Sequence, residues 1–148
     1  MRRYLGMRSI VVATAAVVAA VFVFAPAASA LSAKQFRAAA DAVCREGTAS
    51  RIELLQQHFP NGVDQKPSVA QITAFVGDYK KVVKQQIDAL AALKPPANLK
   101  AKMSKLLSTA RAAMARVVAK PTLLLAGSDP FESVNKQSLA LGLTDCAS

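Results

Sequence analysis

The stretch SVAQITAFVGDYKKVVKQQIDALAALKPPANLK, residues 68–100, decides the fold. Ser68 followed by Gln71 has the spacing of a capping box, in which the serine oxygen accepts from the third backbone amide and the glutamine reaches back. Ile72, Phe75, Val76, Tyr79, Val82, Val83, Ile87, Leu90 and Leu93 then recur at helical spacing as one apolar stripe. Pro95-Pro96 stops the helix, because proline lacks an amide donor and restricts the residue before it. Leu99, Met103, Leu106, Leu107, Ala110, Met114 and Val117 mark the apolar face of a third helix from about Ala97 to Lys120. Two helices of matching length with a short connection predict an antiparallel hairpin.

Working outward, Ser32 and Gln35 repeat the capping box and open a first helix from about Ala33 to His58. Its small and apolar positions are Phe36, Ala40, Val43, Gly47, Ser50 and Leu54. Gly47 and Ser50 on that stripe mean either close approach of a neighbouring helix or a kink. Pro60-Asn61-Gly62 carries turn chemistry, and the loop continues to Pro67. After Pro121, the apolar run Thr122 to Ala126 reads as a short helical turn. Asp129-Pro130-Phe131-Glu132 reads as a cap, a proline at the first helical position and a glutamate at the third. The last helix is expected over roughly Pro130 to Leu141, with Gly142 as its terminator. Four helices without strand-like alternation predict an all-α, up-and-down four-helix bundle.

The N-terminus reads as a cleavable export signal over residues 1–30. Arg2, Arg3 and Arg8 form a positive region, Ile10 to Ala25 is apolar, and Ala28-Ser29-Ala30 supplies the small residues of a cleavage site. An uncleaved anchor is the competing reading, since Ile10 to Ala28 approaches the roughly 20 residues that span a bilayer. No cysteine stands near the cut to carry a lipid. Residues 31–148 suit one domain with one core. Cys44 and Cys146 both fall in this exported part, where a disulfide persists, and their pairing would staple the C-terminal tail onto the first helix.

Without Arg2, Arg3 and Arg8 the chain keeps 16 bases against 9 acids, a net of +7. Between Ala89 and Ser128 there are seven bases, Lys94, Lys100, Lys102, Lys105, Arg111, Arg116 and Lys120, and no acid. At helical spacing Lys102, Lys105, Arg116 and Lys120 fall on one flank of the third helix's apolar stripe, and Lys100 and Arg111 on the other. Such a face attracts anionic lipid head groups, cell-wall polymers or an acidic protein, or else simply keeps the bundle solvated. Nucleic acid is not expected, because no aromatics interleave these bases for stacking.

His58 is the only histidine, which removes most nucleophilic triads and multi-histidine metal sites. At the end of the first helix it complements the helix dipole; the remaining role is an axial ligand to haem, with Tyr79, Met103 or Met114 as partners. Asp41 precedes Arg45 by four and Glu132 precedes Lys136 by four, the spacing of surface pairs. Asp78 and Asp88 stand among Lys80, Lys81 and Lys84 on a solvated face. No phosphate loop, zinc spacing or nucleophile elbow occurs. Neither catalysis nor a resident metal or cofactor is expected.

The early Cys44, the Leu93-Lys94-Pro95-Pro96 hinge before a helix starting near Leu99, and the ending Leu141-Gly142-Leu143-Thr144-Asp145-Cys146 together resemble small exported helical proteins of actinobacteria, many of them lipid-anchored. The resemblance implies an envelope location; the missing lipobox cysteine keeps lipid anchoring from being carried over. The leading expectation is a secreted, non-enzymatic envelope protein that binds or scaffolds through its basic third helix. The alternative is a small-ligand or haem carrier holding its ligand between helices.

Overall fold

A computed structural model describes residues 31–62 and 67–147. The export signal read over residues 1–30 lies outside the described residues. The chain forms α1 (Ala33–His58), α2 (Val69–Ala92), α3 (Ala97–Ala119), a 3-10 turn over Pro121–Leu125, α4 (Glu132–Leu141) and a C-terminal 3-10 turn over Asp145–Ala147. Among the described residues there is no strand. None of the described helices is long and apolar enough to cross a membrane.

Both capping boxes form. The Ser32 and Ser68 hydroxyls accept from the Gln35 and Gln71 amides, and each glutamine side chain accepts from the amide of its serine. Two helix ends differ from expectation. Lys120 is the C-cap of α3 rather than its last residue, because Pro121 disfavours the helical conformation at the residue before it. α4 begins at Glu132 rather than Pro130. The Asp129 carboxylate accepts from the Phe131 amide and the Asn135 side-chain amide, each at 2.8 Å, so the proline occupies a turn before the helix.

Neighbouring helices run antiparallel. The Gly47 backbone of α1 faces Gln86 of α2, and His58, further along α1, meets Asp78, earlier on α2. On the far side Thr109 of α3 meets Gln137 of α4, and Arg116 meets Pro130. At Gly47 an added Cβ would lie 2.6 Å from the Gln86 side chain, so the glycine serves close helix approach. Ser50, expected on the same stripe, is exposed and bonds back to the Glu46 carbonyl. Cys44 takes its place in the core, which runs from Phe36 through Phe75, Val83, Ile87, Leu106 and Val117 to Leu141 and Leu143.

The C-terminal tail closes the bundle against α1. Cys44 and Cys146 place their sulfurs 2.01 Å apart, a disulfide across a sequence separation of 102. Arg45 pairs with Asp145, not with Asp41 as its spacing suggests; Asp41 instead accepts from the Asp145 amide at 3.1 Å. Arg37 donates from Nε to the Leu141 carbonyl at 2.8 Å, satisfying one of the groups a helix C-terminus leaves open. Gly142, at φ 74°, ends α4 in the left-handed region, and the Leu143 amide returns to the Ser138 carbonyl in a Schellman arrangement.

Candidate functional site

Several concavities lie between the described helices. The largest, about 490 Å³, is a groove bounded by α1, α2 and the Pro121–Leu125 turn. Thr48, Ile52, Leu55 and Phe59 come to it from one side of α1, at intervals of four, three and four. Pro67, Ile72, Phe75 and Tyr79 come from α2 and its approach, and Leu124 and Leu125 from the turn. Ile52, Leu55 and Leu125 keep 50%, 37% and 42% of their surface exposed, half of the large exposed apolar side chains among the described residues. Its volume and lining are those of small-molecule sites, mostly apolar with a few polar groups.

Aromatic rings make the deep wall. Phe75 stacks on Tyr79 at 5.4 Å between ring centres and Phe59 packs on Phe75 at 5.6 Å, while Phe131, which lines the inner cavity and not the groove, meets Tyr79 edge-on at 6.2 Å. These separations are favourable for aromatic pairs and hold the wall rigid. Among the described residues Arg51 is the one charged residue in the lining, and its Nη2 donates to Thr48 Oγ1 at 2.6 Å. Burial pushes the Tyr79 phenol above its ordinary pKa, opposed by the Arg51 guanidinium beside it.

Arg51 and Tyr79 also line a second, inner cavity of about 70 Å³. Gln86, Asn135, Ser138 and the Cys44–Cys146 bridge border it, with Val83, Ile87 and Leu106. Ser138 is 1% exposed, and its hydroxyl has no hydrogen-bond partner among the described residues. A third groove of about 450 Å³ follows the outer seam of α2 and α3, with Lys80, Lys84, Asp88 and Arg111 around Met114, Ala115 and Val118. Asp88 there is paired with Lys84.

All seven bases of the acid-free stretch are exposed. Arg111 and Lys100 border the seam with α2. Arg116 donates to the Pro130 carbonyl at 3.4 Å, which sets its flank toward α4. Lys100 and Arg111 thus stand beside α2 and Arg116 toward α4, while Lys94 lies in the connection before α3.

His58 ends α1 with Nε2 3.2 Å from Asp78 Oδ2, its ring edge-on to Phe75. Asp78 also accepts from Lys81 at 2.9 Å; that bond first, and His58 second, holds its carboxyl below the ordinary value. Of the residues considered with His58 as axial ligands, Tyr79 lines the apolar groove, while Met103 and Met114 line the α2–α3 seam. His58 borders a small pocket of about 110 Å³ that shares Phe59 and Pro67 with the groove. Among the described residues no three His, Cys, Asp or Glu side chains gather as metal ligands.

Sequence reading did not find the apolar groove. Its signal was the Thr48, Ile52, Leu55, Phe59 spacing, a second stripe beside the core stripe of α1. The Leu124 and Leu125 contribution had no such signal, because it depends on where the turn after α3 folds back. Searched against models of protein families, curated proteins and solved structures, the chain finds no match.

Proposed function

We propose that this is an exported, disulfide-stapled helical carrier of a small apolar ligand, held in the groove between α1, α2 and the Pro121–Leu125 turn. The observation that carries the reading is the groove: about 490 Å³ of aromatic and aliphatic wall with Ile52, Leu55 and Leu125 left half-exposed at its mouth. Apolar surface kept open in one concavity is where a chain invests contact with a ligand. The role is binding rather than catalysis. Export is supported by the signal pattern of residues 1–30 and by the disulfide, which fits an oxidising compartment.

Titration of the disulfide-bonded protein with dodecanol and with haemin tests the reading. Saturable uptake of either supports it, and uptake of neither removes it. For haem the donors to test are Tyr79 within the groove and His58 at its border. A Soret shift altered by Tyr79→Phe or His58→Ala supports axial ligation; no shift sinks the haem version.

A second reading is favoured by the exposure of seven bases with no acid in their stretch. α3 then contacts an anionic polymer or lipid surface of the envelope, through long-range attraction that salt screens. Co-sedimentation with phosphatidylglycerol vesicles and with cell-wall fractions, at low and high salt, separates the two surfaces. Association unchanged by salt, or by reversing Lys102, Lys105 and Lys120 to Glu, would falsify this second reading.

A further inference from the structure

We infer that the outer seam of α2 and α3 is a docking groove for an acidic amphipathic helix of a partner protein. The seam is separate from the carrier groove and uses none of Lys102, Lys105 and Lys120, so the inference goes beyond both readings above.

The seam is a trough with an apolar floor. Two concavities, of about 450 Å³ and about 300 Å³, meet at Arg111, which lines both. Ile87 and Met114 floor the first, and Leu90, Met103 and Leu107 the second; each keeps 8% of its surface or less. The exposed residues beside them are small, Ala115 and Ala119 in one half and Ala91 and Ser104 in the other. Small side chains along a seam let a further helix come close, and Val118, 39% exposed, offers it apolar contact. Lys100, Ser104, Arg111, Ala115 and Ala119 recur at intervals of four, seven, four and four, which is one face of α3. At about 1.5 Å per residue they span about 28 Å, the length of a helix of roughly five turns.

Charge on the two rims decides the occupant. Lys80 and Lys84 stand on the α2 rim and Lys100 and Arg111 on the α3 rim, all exposed. Among the described residues Asp88 is the one acid in either lining, and it is paired with Lys84. No ion pair among the described residues engages Lys80, Lys100 or Arg111, so these three are left to meet a partner's carboxylates. An anionic polymer meets the cations but leaves the apolar trough uncovered, and a bilayer surface is too flat to enter between two helices. A helix with one apolar face and acidic flanks satisfies both. Its apolar side chains at i, i+4 and i+7 settle over Ala115 and Val118, while its carboxylates reach the bases on either rim.

Three labelled peptides of about 20 residues, titrated at low salt into the disulfide-bonded chain and read by fluorescence anisotropy, test the inference. The first places leucine at i, i+3, i+4 and i+7 and glutamate elsewhere. The second has lysine for glutamate, and the third is the first scrambled so that no apolar face forms. The first is expected to bind one per chain in about the micromolar range, about tenfold tighter than either of the others. Arg111→Glu and Ala115→Trp, both at exposed positions, each weaken it about tenfold, one by charge and the other by filling the trough. Lys102→Glu and Ile52→Asp, outside the seam, leave it within about twofold. No binding of the first peptide, a result needing no variant to fold, overturns the inference and leaves the carrier reading to its own titration. Equal affinity for the lysine peptide overturns the acidic preference, and equal affinity for the scrambled one overturns the helix. Binding that Ile52→Asp abolishes and Arg111→Glu does not moves the peptide to the carrier groove and overturns the seam. Phosphatidylglycerol vesicles bound in place of the peptide, and released by Arg111→Glu, assign the seam to a membrane instead. A dimer that Ala115→Trp dissociates assigns it to a second copy of the chain.

Discussion

Ser138 sits on α4 with 1% of its surface exposed and its hydroxyl unpartnered among the described residues. A buried hydroxyl that gives up water without gaining a protein partner costs free energy that a methyl group does not. Ser138→Ala is therefore expected to raise stability by about 1 kcal/mol, seen as a higher denaturant midpoint at unchanged slope. Asp78 makes a prediction in pH. Lys81 and His58 hold its carboxyl below the ordinary value of 3.8. A depressed acid contributes stability that is complete above 3.8 and disappears as pH falls through the lower folded value. Thermal melts of Asp78→Asn should thus decline less steeply than wild type below about pH 4. The site is solvent-exposed and the difference will be small.

At the scale of elements, the helix starts and the central hairpin were legible because their causes are local. Ser32 with Gln35 and Ser68 with Gln71 bond across three residues, and a double proline stops a helix whatever surrounds it. The start of α4 was misread because Asp129 has two uses. It caps a helix beginning at Pro130, or it bonds forward to the Phe131 amide and Asn135, as it does here. Gly142 was legible as a terminator, and its φ of 74° gives the reason. A side chain there is strained, and a Cβ would come within 3.0 Å of Arg37 Nε, the atom that bonds the Leu141 carbonyl. Gly142→Ala should cost about 1 to 2 kcal/mol, read as a lower Tm with the helical circular dichroism retained.

For the whole molecule, the Cys44–Cys146 bridge closes a sequence separation of 102. In the chain-entropy account such a loop stabilises a fold by about 4 to 5 kcal/mol, so reduction should lower the urea midpoint by that equivalent. The bridge acts together with the Arg45–Asp145 pair and the bond from the Asp145 amide to Asp41. No spacing rule could supply these. Arg45 has Asp41 one helical turn away, yet the tail brings Asp145 to it and engages Asp41 through its own amide.

The order of four helices, the hairpin of α2 on α3 and the cysteine pairing were all written in local pattern or in there being only two cysteines to pair. Periodicity and breakers act over one or two turns, and those are the distances at which a sequence can be read directly. The apolar groove was decided by tertiary structure. Its walls come from α1, α2 and a turn some 70 residues after Thr48. Phe75 and Tyr79 read as ordinary core positions until the other wall is in place. Ile52 and Leu55 stand off the core stripe of α1, and exposed apolar residues of that kind occur on every protein. Only the fold sets them together around Arg51, because concavity depends on which surfaces meet, and adjacency along the chain does not carry that.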